Sequence, residues 1–292
     1  MGVLAGKNIV KKYGKETVLK NIDINLETGK IYGLIGRNGA GKTTLLSILT
    51  AQNPATEGTV TLDGEAVWEN EKALSRICYS REISQVTMLG TNNLKVKEYL
   101  ATAKAFYANW DEEYAKELIK LFKIDAGKRI RGLSKGMLSV VTIIVALASK
   151  AEITILDEPV AGLDIVAREQ FYNLVIDEYA NTGRTFIIST HIIEEAASLF
   201  ERVIIIDGGE IKFEENTENL LARASRVSGS AEAVDKAVSG YKVYNTETIG
   251  GFKVAILLAE EPGIDFGEEV HIEPVSLQNL FYAMCKSAEK GA

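Results

Sequence analysis

The sequence has few cysteines and histidines, the residues that form disulfides and zinc sites: 2 of each among 292 residues. Prolines are also few, with 4 in the chain. Cys78 and Cys285 lie far apart and show no CxxC spacing. This argues against a disulfide framework and against a cysteine-based zinc site, and it favours a reducing compartment.

Long apolar runs are also missing. The longest, from Val140 to Ala148, is far shorter than the roughly 20 residues that a membrane-spanning helix needs. The opening residues, MGVLAGKNIVKKYG, lack the apolar core of a secretory signal. We therefore expect a soluble, cytoplasmic chain, whose place at a membrane would depend on a partner chain.

No strong basic character is present, because 40 acidic residues outnumber 33 basic ones and give a net charge of −7. The charges are interspersed along the chain, without a long tail of one sign. Such a balance disfavours binding to nucleic acid or to an anionic membrane surface. We expect no nucleic-acid partner.

The first half of the chain shows alternating strand and helix patterns. Residues 17–35 predict two strands, and Thr43 to Ala51 predicts a helix. Residues 58–68 predict a hairpin that turns at Asp63-Gly64. From about residue 92 to residue 128 the pattern is helical.

Further along, short apolar runs predict buried strands at Ile153–Leu156, Phe186–Ile188 and Val203–Ile206. Helical patterns separate them at Ile165–Ala180 and Ile192–Phe200. Strands that alternate with helices predict an α/β fold with a largely parallel sheet covered on both faces.

The composition changes near residue 225. The stretches YKVYNTET and FKVAILLAE around Gly250-Gly251 predict a strand–turn–strand pair, and SLQNLFYAMCK predicts a final helix. We therefore predict a main domain at 1–224 and a small α+β appendage at 225–292.

The segment GRNGAGKT, Gly36 to Thr43, follows a predicted strand and opens a predicted helix. It matches the glycine-rich loop G-x-x-x-x-G-K-[ST], whose backbone amides hold phosphate groups. A helix N-terminus at the same place favours negative charge. We expect Lys42 to reach the β- and γ-phosphates of a nucleotide and the Thr43 hydroxyl to bind Mg²⁺.

Two carboxylates, Asp157 and Glu158, come directly after the apolar run Ile153–Leu156. Taken alone, such a pair could be an ordinary strand end with solvated acids. Beside a phosphate loop, Asp157 is expected to hold magnesium and Glu158 to polarise the attacking water.

With these motifs in this order, residues 3–214 resemble the nucleotide-binding domain of ABC transporters. Leu133-Ser134-Lys135-Gly136-Met137 is similar to the family signature LSGGQ, from which Lys135 and Met137 depart. The resemblance implies a P-loop NTPase fold of the ABC type. It has a mostly parallel sheet core, an N-terminal antiparallel β subdomain and a helical subdomain at about 86–150.

The resemblance also implies roles for single residues. Ser134 and Gly136 would bind the γ-phosphate of ATP held by another protomer, and Asp164 lies in the segment that resembles the D-loop at the dimer interface. His191 resembles the switch histidine, and Tyr13 the aromatic residue that stacks on adenine. The expected catalytic residues are Glu158, His191 and Lys42. The expected ATP-binding residues are Tyr13, Gly36, Asn38, Gly39, Gly41, Lys42, Thr43, Thr44, Ser134, Gly136 and Asp164.

One motif leaves an alternative open. The family usually has a glutamine after this strand that touches Mg²⁺, whereas this sequence reads ICYSREISQ from Ile77 to Gln85. Alignment on the strand places Glu82 there, and Gln85 follows three residues later. Either could be the magnesium contact, with Thr43 and Asp157 as the other expected ligands.

The resemblance implies ATP and Mg²⁺ as cofactors and an ATP-bound dimer of two copies, or of one copy with a second ATPase subunit. It further implies a separate transmembrane permease that holds the chain at the cytoplasmic face of the membrane. The chain looks most like ATPase subunits of bacterial drug, bacteriocin or toxic-peptide exporters of the phenol-soluble-modulin type. The alternatives are a soluble ABC ATPase acting on ribosomes or DNA and a regulatory ATPase whose appendage binds a small ligand.

Overall fold

The computed structural model describes residues 2–83, 93–264 and 266–290. The chain divides into two compact units, one comprising 1–191 with 206–212 and the other comprising 192–205 with 213–292. Each unit is described by itself.

The described residues form the following strands and helices. The strands are β1 (Val3–Tyr13), β2 (Glu16–Glu27), β3 (Ile31–Ile35), β4 (Glu57–Leu62), β5 (Glu65–Ala66), β6 (Ile77–Arg81), β7 (Ile153–Asp157), β8 (Thr185–Thr190), β9 (Arg202–Asp207), β10 (Glu210–Asn216), β11 (Ala224–Ser230), β12 (Lys242–Ile249), β13 (Phe252–Leu258) and β14 (Val270–Pro274). The α-helices are α1 (Lys42–Leu49), α2 (Glu71–Leu74), α3 (Val96–Lys104), α4 (Glu112–Leu121), α5 (Lys135–Ala148), α6 (Ile165–Thr182), α7 (Ile193–Ala196), α8 (Thr217–Ala222), α9 (Ala231–Ala237) and α10 (Leu277–Lys290). Short 3-10 helices lie at Ile130–Gly132 and Ala197–Leu199.

An antiparallel sheet with the order β2-β1-β4-β5 forms the N-terminal part of the first unit. Its β4–β5 hairpin turns at Asp63 and Gly64, whose φ angles of 55° and 84° are both positive. Two such residues match the tight turn that fits the natural twist of a hairpin. The predicted hairpin and the predicted N-terminal antiparallel subdomain are confirmed.

The core of the first unit is a parallel sheet, in which β3, β8, β7 and β6 lie side by side in that order. Strands β3, β7 and β8 are buried along their whole length, as expected for a parallel sheet covered on both faces. Ile35 pairs with Thr190, and Asp157 pairs with both Ser189 and Arg81. The carboxyl ends of the four strands therefore lie along one edge, and the predicted α/β fold is confirmed.

Helices α3, α4 and α5 occupy the region of the predicted helical subdomain, of which residues 86–92 lie outside the described residues. Asp111 caps α4 by accepting a hydrogen bond from the Tyr114 backbone N–H at 2.9 Å. Ser134 caps α5 in the same way, with Met137 as donor at 3.3 Å. Side-chain caps satisfy amides that a helix leaves unpaired at its start.

The second unit contains an antiparallel sheet with the order β12-β13-β11-β14. Helix α9 connects β11 to β12, and β13 lies between these strands, which is the arrangement of a split βαβ unit. Val234 of α9 packs with Val227, Ala255 and Leu257 in the core of this unit. The predicted strand pair around Gly250-Gly251 and the final helix are confirmed.

The stretch after β8 is less regular than its sequence pattern predicts. The helix predicted at Ile192–Phe200 is instead a four-residue helix, α7, followed by a 3-10 helix. The two units are bounded differently from the expected domains at 1–224 and 225–292, and that boundary stays a prediction. Within the described part of the chain, no helix combines the length and apolar character that crossing a bilayer requires.

Candidate functional site: the glycine loop and the strand ends beside it

A tight loop joins β3 to α1. Gly39 and Gly41 have φ angles of 82° and 104°, which side chains rarely tolerate. A Cβ on Gly36 would meet the Ile206 carbonyl oxygen at 2.5 Å, so only glycine fits there. Asn38 and Thr43 are exposed, and Thr44 is half-buried. The predicted strand–loop–helix context of the phosphate loop is confirmed.

Lys42 is the first residue of α1 and is buried. Its Nζ donates a hydrogen bond to the Gly36 carbonyl at 2.8 Å and lies 3.4 Å from Glu158 Oε1. The loop and the end of β7 are therefore joined through this ammonium group. A cation at a helix N-terminus surrounded by glycine amides is suited to hold an anion.

Asp157, the last residue of β7, is buried and hydrogen-bonded through its carboxylate. The Ser189 hydroxyl donates a hydrogen bond to Oδ1, and the Tyr79 hydroxyl lies 3.5 Å from Oδ2. Burial and, next, the negative charge of Asp157 raise the pKa of Tyr79. Tyr79 therefore stays protonated to a higher pH than an ordinary tyrosine, and its hydroxyl can donate to the carboxylate.

Glu158 turns away from the strand with a φ angle of 50°, in the left-handed region that non-glycine residues seldom adopt. Its backbone N–H is held by Ser189, 3.2 Å from the carbonyl oxygen and 3.0 Å from Oγ. His191 Nδ1 lies 2.7 Å from Glu158 Oε2. Strained residues of this kind are concentrated at functional sites.

Ser189 was not among the predicted site residues, although it contacts both carboxylate residues. It lies opposite Asp157 in the β7–β8 register. A serine and a threonine at the end of the apolar run TFIIST, directly before His191, were the available signal. The parallel sheet was predicted, but its register was not.

Ser134, Gly136 and Asp164 form a second group. A Cβ on Gly136 would meet the Gly162 carbonyl oxygen at 2.4 Å, and the Ser139 hydroxyl donates to the Ala161 carbonyl at 2.7 Å. The Asp164 carboxylate caps α6 by accepting from the Ala167 N–H at 2.9 Å. Ser134, Gly136 and Asp164 border one cavity of about 460 Å³, so α5 and α6 begin side by side there.

Tyr13 is 49% exposed, so about half of the residue is open to solvent. Its hydroxyl accepts a hydrogen bond from Asn53 Nδ2 at 2.6 Å, and Lys11 Nζ lies 5.0 Å from the ring centre. Lys11 is itself held by the Pro54 carbonyl at 2.6 Å. The ring is thus an anchored, exposed surface and not part of the core.

Of the two residues proposed for the magnesium contact after β6, Glu82 forms an ion pair with Lys135, with Oε1 and Nζ 3.0 Å apart. Gln85 lies outside the described residues. Within the described ranges, no group of three or more acidic, histidine or cysteine side chains could cage a metal ion. Thr43 and Asp157 together offer hard oxygen donors, which suits an ion that keeps its waters and binds substrate phosphate, as Mg²⁺ does.

Comparison with known proteins agrees with this geometry. The sequence model of the family described as "ABC transporter" matches residues 19–161, which include the glycine loop, Ser134 and both carboxylates. The bacitracin transport ATP-binding protein BcrA of Enterococcus faecalis is 31% identical, over 76% of this chain and 71% of that protein. The ABC transporter ATP-binding protein YtrB of Bacillus subtilis (strain 168) is 25% identical, over 95% of this chain and 96% of its own length.

A dimeric bacterial ABC transporter cassette of known structure has a TM-score of 0.62 and 26% identity, over 73% of this chain and 98% of that one. The chain belongs to the ABC transporter family. Within that family it is an ATP-binding subunit with ATPase activity.

Proposed function

We propose that this chain hydrolyses ATP while paired with a second ATPase chain, and that the resulting opening and closing drives a separate transmembrane subunit. The second chain is another copy or a related subunit. The observation that carries the proposal is the position of the Glu158 carboxylate. It contacts Lys42 through one oxygen and His191 through the other, beside the buried Asp157.

In this proposal the amides of the glycine loop bind the nucleotide phosphates. The loop residues are Gly36, Asn38, Gly39 and Gly41, followed by Lys42, Thr43 and Thr44 at the start of α1. Lys42 exchanges its contact with Glu158 for the β- and γ-phosphate oxygens, because a phosphate carries more negative charge than one carboxylate. The freed carboxylate then faces the γ-phosphate.

Thr43 and Asp157 would hold Mg²⁺, which neutralises charge on the phosphates when bound. Glu158 orients the attacking water and accepts its proton as a general base. His191 fixes the direction of the Glu158 carboxylate and hydrogen-bonds to the γ-phosphate. The exposed Tyr13 ring stacks on adenine, while Asn53 and Lys11 keep it in place. The expected Mg²⁺ contact of Glu82 or Gln85 stays a prediction.

The other half of each ATP site comes from the second chain. Ser134 and Gly136 stand at the start of α5, where free amides and the helix dipole favour a phosphate. Asp164 directly precedes α6 and borders the same cavity as Ser134 and Gly136. ATP is then gripped from both sides, and loss of the γ-phosphate lets the chains separate.

The names of the relatives support transport, since one of them is described as a bacitracin transport protein. We propose that the membrane partner exports a drug or a peptide and that it holds this chain at the cytoplasmic face. The net charge of −7 speaks against the alternative of a ribosome- or DNA-associated ATPase.

Replacement of the proposed base tests this function. The wild-type chain should hydrolyse Mg-ATP, whereas Glu158→Gln should bind ATP and lose on the order of 100-fold in turnover. Gel filtration of Glu158→Gln with Mg-ATP should show a dimer that wild type does not retain. Glu152→Gln, at the opposite end of β7 beside Arg76, is the matched control and should turn over like wild type. A monomeric Glu158→Gln chain would contradict the proposal.

A further inference from the structure

Two oppositely charged side chains join the end of β6 to the start of α5. Glu82 Oε1 and Lys135 Nζ lie 3.0 Å apart. Lys135 departs from the family signature, and Glu82 is one of the two residues that could take the place of the family's glutamine. Their opposite charges and their contact in the structure suggest that the two residues act together.

The ion pair is the outer end of a packed contact. Deeper in the molecule, the Ser80 hydroxyl donates a hydrogen bond to the Thr142 carbonyl at 3.1 Å. Ser80 lies within β6, and Glu82 directly follows Arg81, the last residue of that strand. Lys135 and Thr142 are about two helical turns apart and lie on one face of α5. The buried contact therefore joins β6 to the middle of α5, and the exposed pair is a second, separate link at the N-terminal end of the helix.

Both partners are adjacent to the proposed ATP-site residues. Arg81, which precedes Glu82, is in register with Asp157 on the neighbouring strand. Lys135 lies between Ser134 and Gly136 in the first turn of α5. The pair thus connects the end of β6, beside the nucleotide proposed to bind to this chain, with the start of α5. The start of α5 is proposed to contact the nucleotide of the other chain.

Folding stability does not account for this pair. The side chains of Lys135 and Glu82 are 58% and 45% exposed, and ion pairs at such positions contribute little to stability. A lysine in the first helical turn also opposes the helix dipole, where an acidic residue would be favoured. The arrangement holds a charge where it does not help the helix.

We propose that Glu82 and Lys135 are a positioning pair, whose attraction holds the first turn of α5 at a set distance from the end of β6. This rests on the proposed ATPase dimer, because both elements contribute to its two nucleotide sites. Loss of the attraction displaces Ser134 and Gly136 from the γ-phosphate. In this proposal Glu82 is the partner of Lys135 and not the magnesium contact. Loss of the pair therefore lowers turnover and leaves the ATP affinity of a single chain unchanged.

Charge reversal tests the pair. Glu82→Lys and Lys135→Glu should each lower kcat about tenfold, because small displacements of aligned groups are costly in rate. The double variant Glu82→Lys/Lys135→Glu should return to within about twofold of wild type, since it restores the attraction. Thermal unfolding should show an unchanged Tm for Glu82→Lys and an unchanged or higher Tm for Lys135→Glu, because of the helix dipole.

Lys104 and Glu112 provide a matched control. Their Nζ and Oε2 atoms are 3.1 Å apart, and their side chains are 52% and 49% exposed. Lys104→Glu and Glu112→Lys should leave kcat unchanged. Glu82→Gln removes one charge without reversing it, and it should give an intermediate kcat.

The outcomes are separable. If Glu82→Lys and Lys135→Glu each had the kcat of the control variants, the positioning role of the pair would be wrong. The proposed ATPase function would be unaffected. A double variant as slow as the singles would also overturn the positioning role, because one residue would then act on the nucleotide directly. A wild-type chain without turnover would contradict the ATPase function itself.

Discussion

His191 Nδ1 lies 2.7 Å from Glu158 Oε2, and this contact joins the end of β8 to the end of β7. The other carboxylate oxygen of Glu158 lies 3.4 Å from Lys42 Nζ. The carboxylate is therefore held from both sides, by a group on the neighbouring strand and by a group on α1. Substitution of His191 or Lys42 should therefore change mainly the orientation of the Glu158 carboxylate.

His191→Ala should lower kcat about 100-fold, because the general base loses the group that orients it. ATP affinity, measured by titration calorimetry on the monomer, should fall much less than kcat, because only the hydrogen bond to the γ-phosphate is lost. The control is His271→Ala, which removes the only other histidine, 72% exposed beside Glu273. Equal turnover of the two variants would remove His191 from the proposed mechanism.

Ser189→Ala should lower both stability and turnover. The variant leaves the buried Asp157 without one donor and the Glu158 N–H without one acceptor. We expect a loss of about 1–3 kcal/mol in the free energy of unfolding, measured with urea. Ser149→Ala removes a hydroxyl that donates to the Ala146 carbonyl at 2.8 Å, at the C-terminal end of α5. This control should keep wild-type turnover, and a Ser189→Ala chain that does the same would contradict the role of Ser189.

Tyr13 can be tested by separating its ring from its hydroxyl. Tyr13→Ala should weaken ATP binding by about 1–3 kcal/mol, the usual range for a base stacked on an aromatic ring. Tyr13→Phe keeps the ring and loses only the hydrogen bond from Asn53, so its affinity should stay near that of wild type. Identical affinities of Tyr13→Ala and wild type would show that the ring does not stack on adenine.

Gly136→Ala should disrupt the start of α5, because the added methyl group would meet the Gly162 carbonyl oxygen at 2.4 Å. We expect turnover to fall at least about tenfold and the Glu158→Gln, Gly136→Ala double variant to lose its ATP-dependent dimer on gel filtration. Gly132→Ala is the control, because its methyl group would lie at an ordinary contact distance of 3.7 Å from Lys128 Cε. If the double variant kept its dimer, the close approach of Gly136 to Gly162 would not be required for ATP-dependent dimerisation.

The parts of the site that are continuous in sequence could be predicted. The loop before Lys42 and the pair Asp157-Glu158 both follow apolar runs, and buried parallel strands present the polar residues at their carboxyl ends to one shared edge. The contacts across strands could not be predicted, because they depend on register. Ser189 meets Asp157 only because β7 and β8 pair as they do.

The strand β1 was also missed, for a physical reason. Its register with β2 shifts between Gly6 and Ile9 and again between Ile9 and Lys11. Bulges of this kind break the alternation of apolar and polar residues on which strand prediction depends. Asn8, with a φ angle of 52°, lies within the irregular stretch.

The close approach of Gly136 to Gly162 has a mechanical consequence. Backbone touches backbone there, with no side chain between them to absorb a displacement, and the Ser139–Ala161 hydrogen bond adds a second tie. In the proposed dimer, a displacement of the N-terminal end of α5 by one nucleotide would therefore also displace the segment that follows Glu158, the residue proposed to act on the other nucleotide. The two nucleotide sites of the dimer would then be coupled through a backbone contact only a few atoms long.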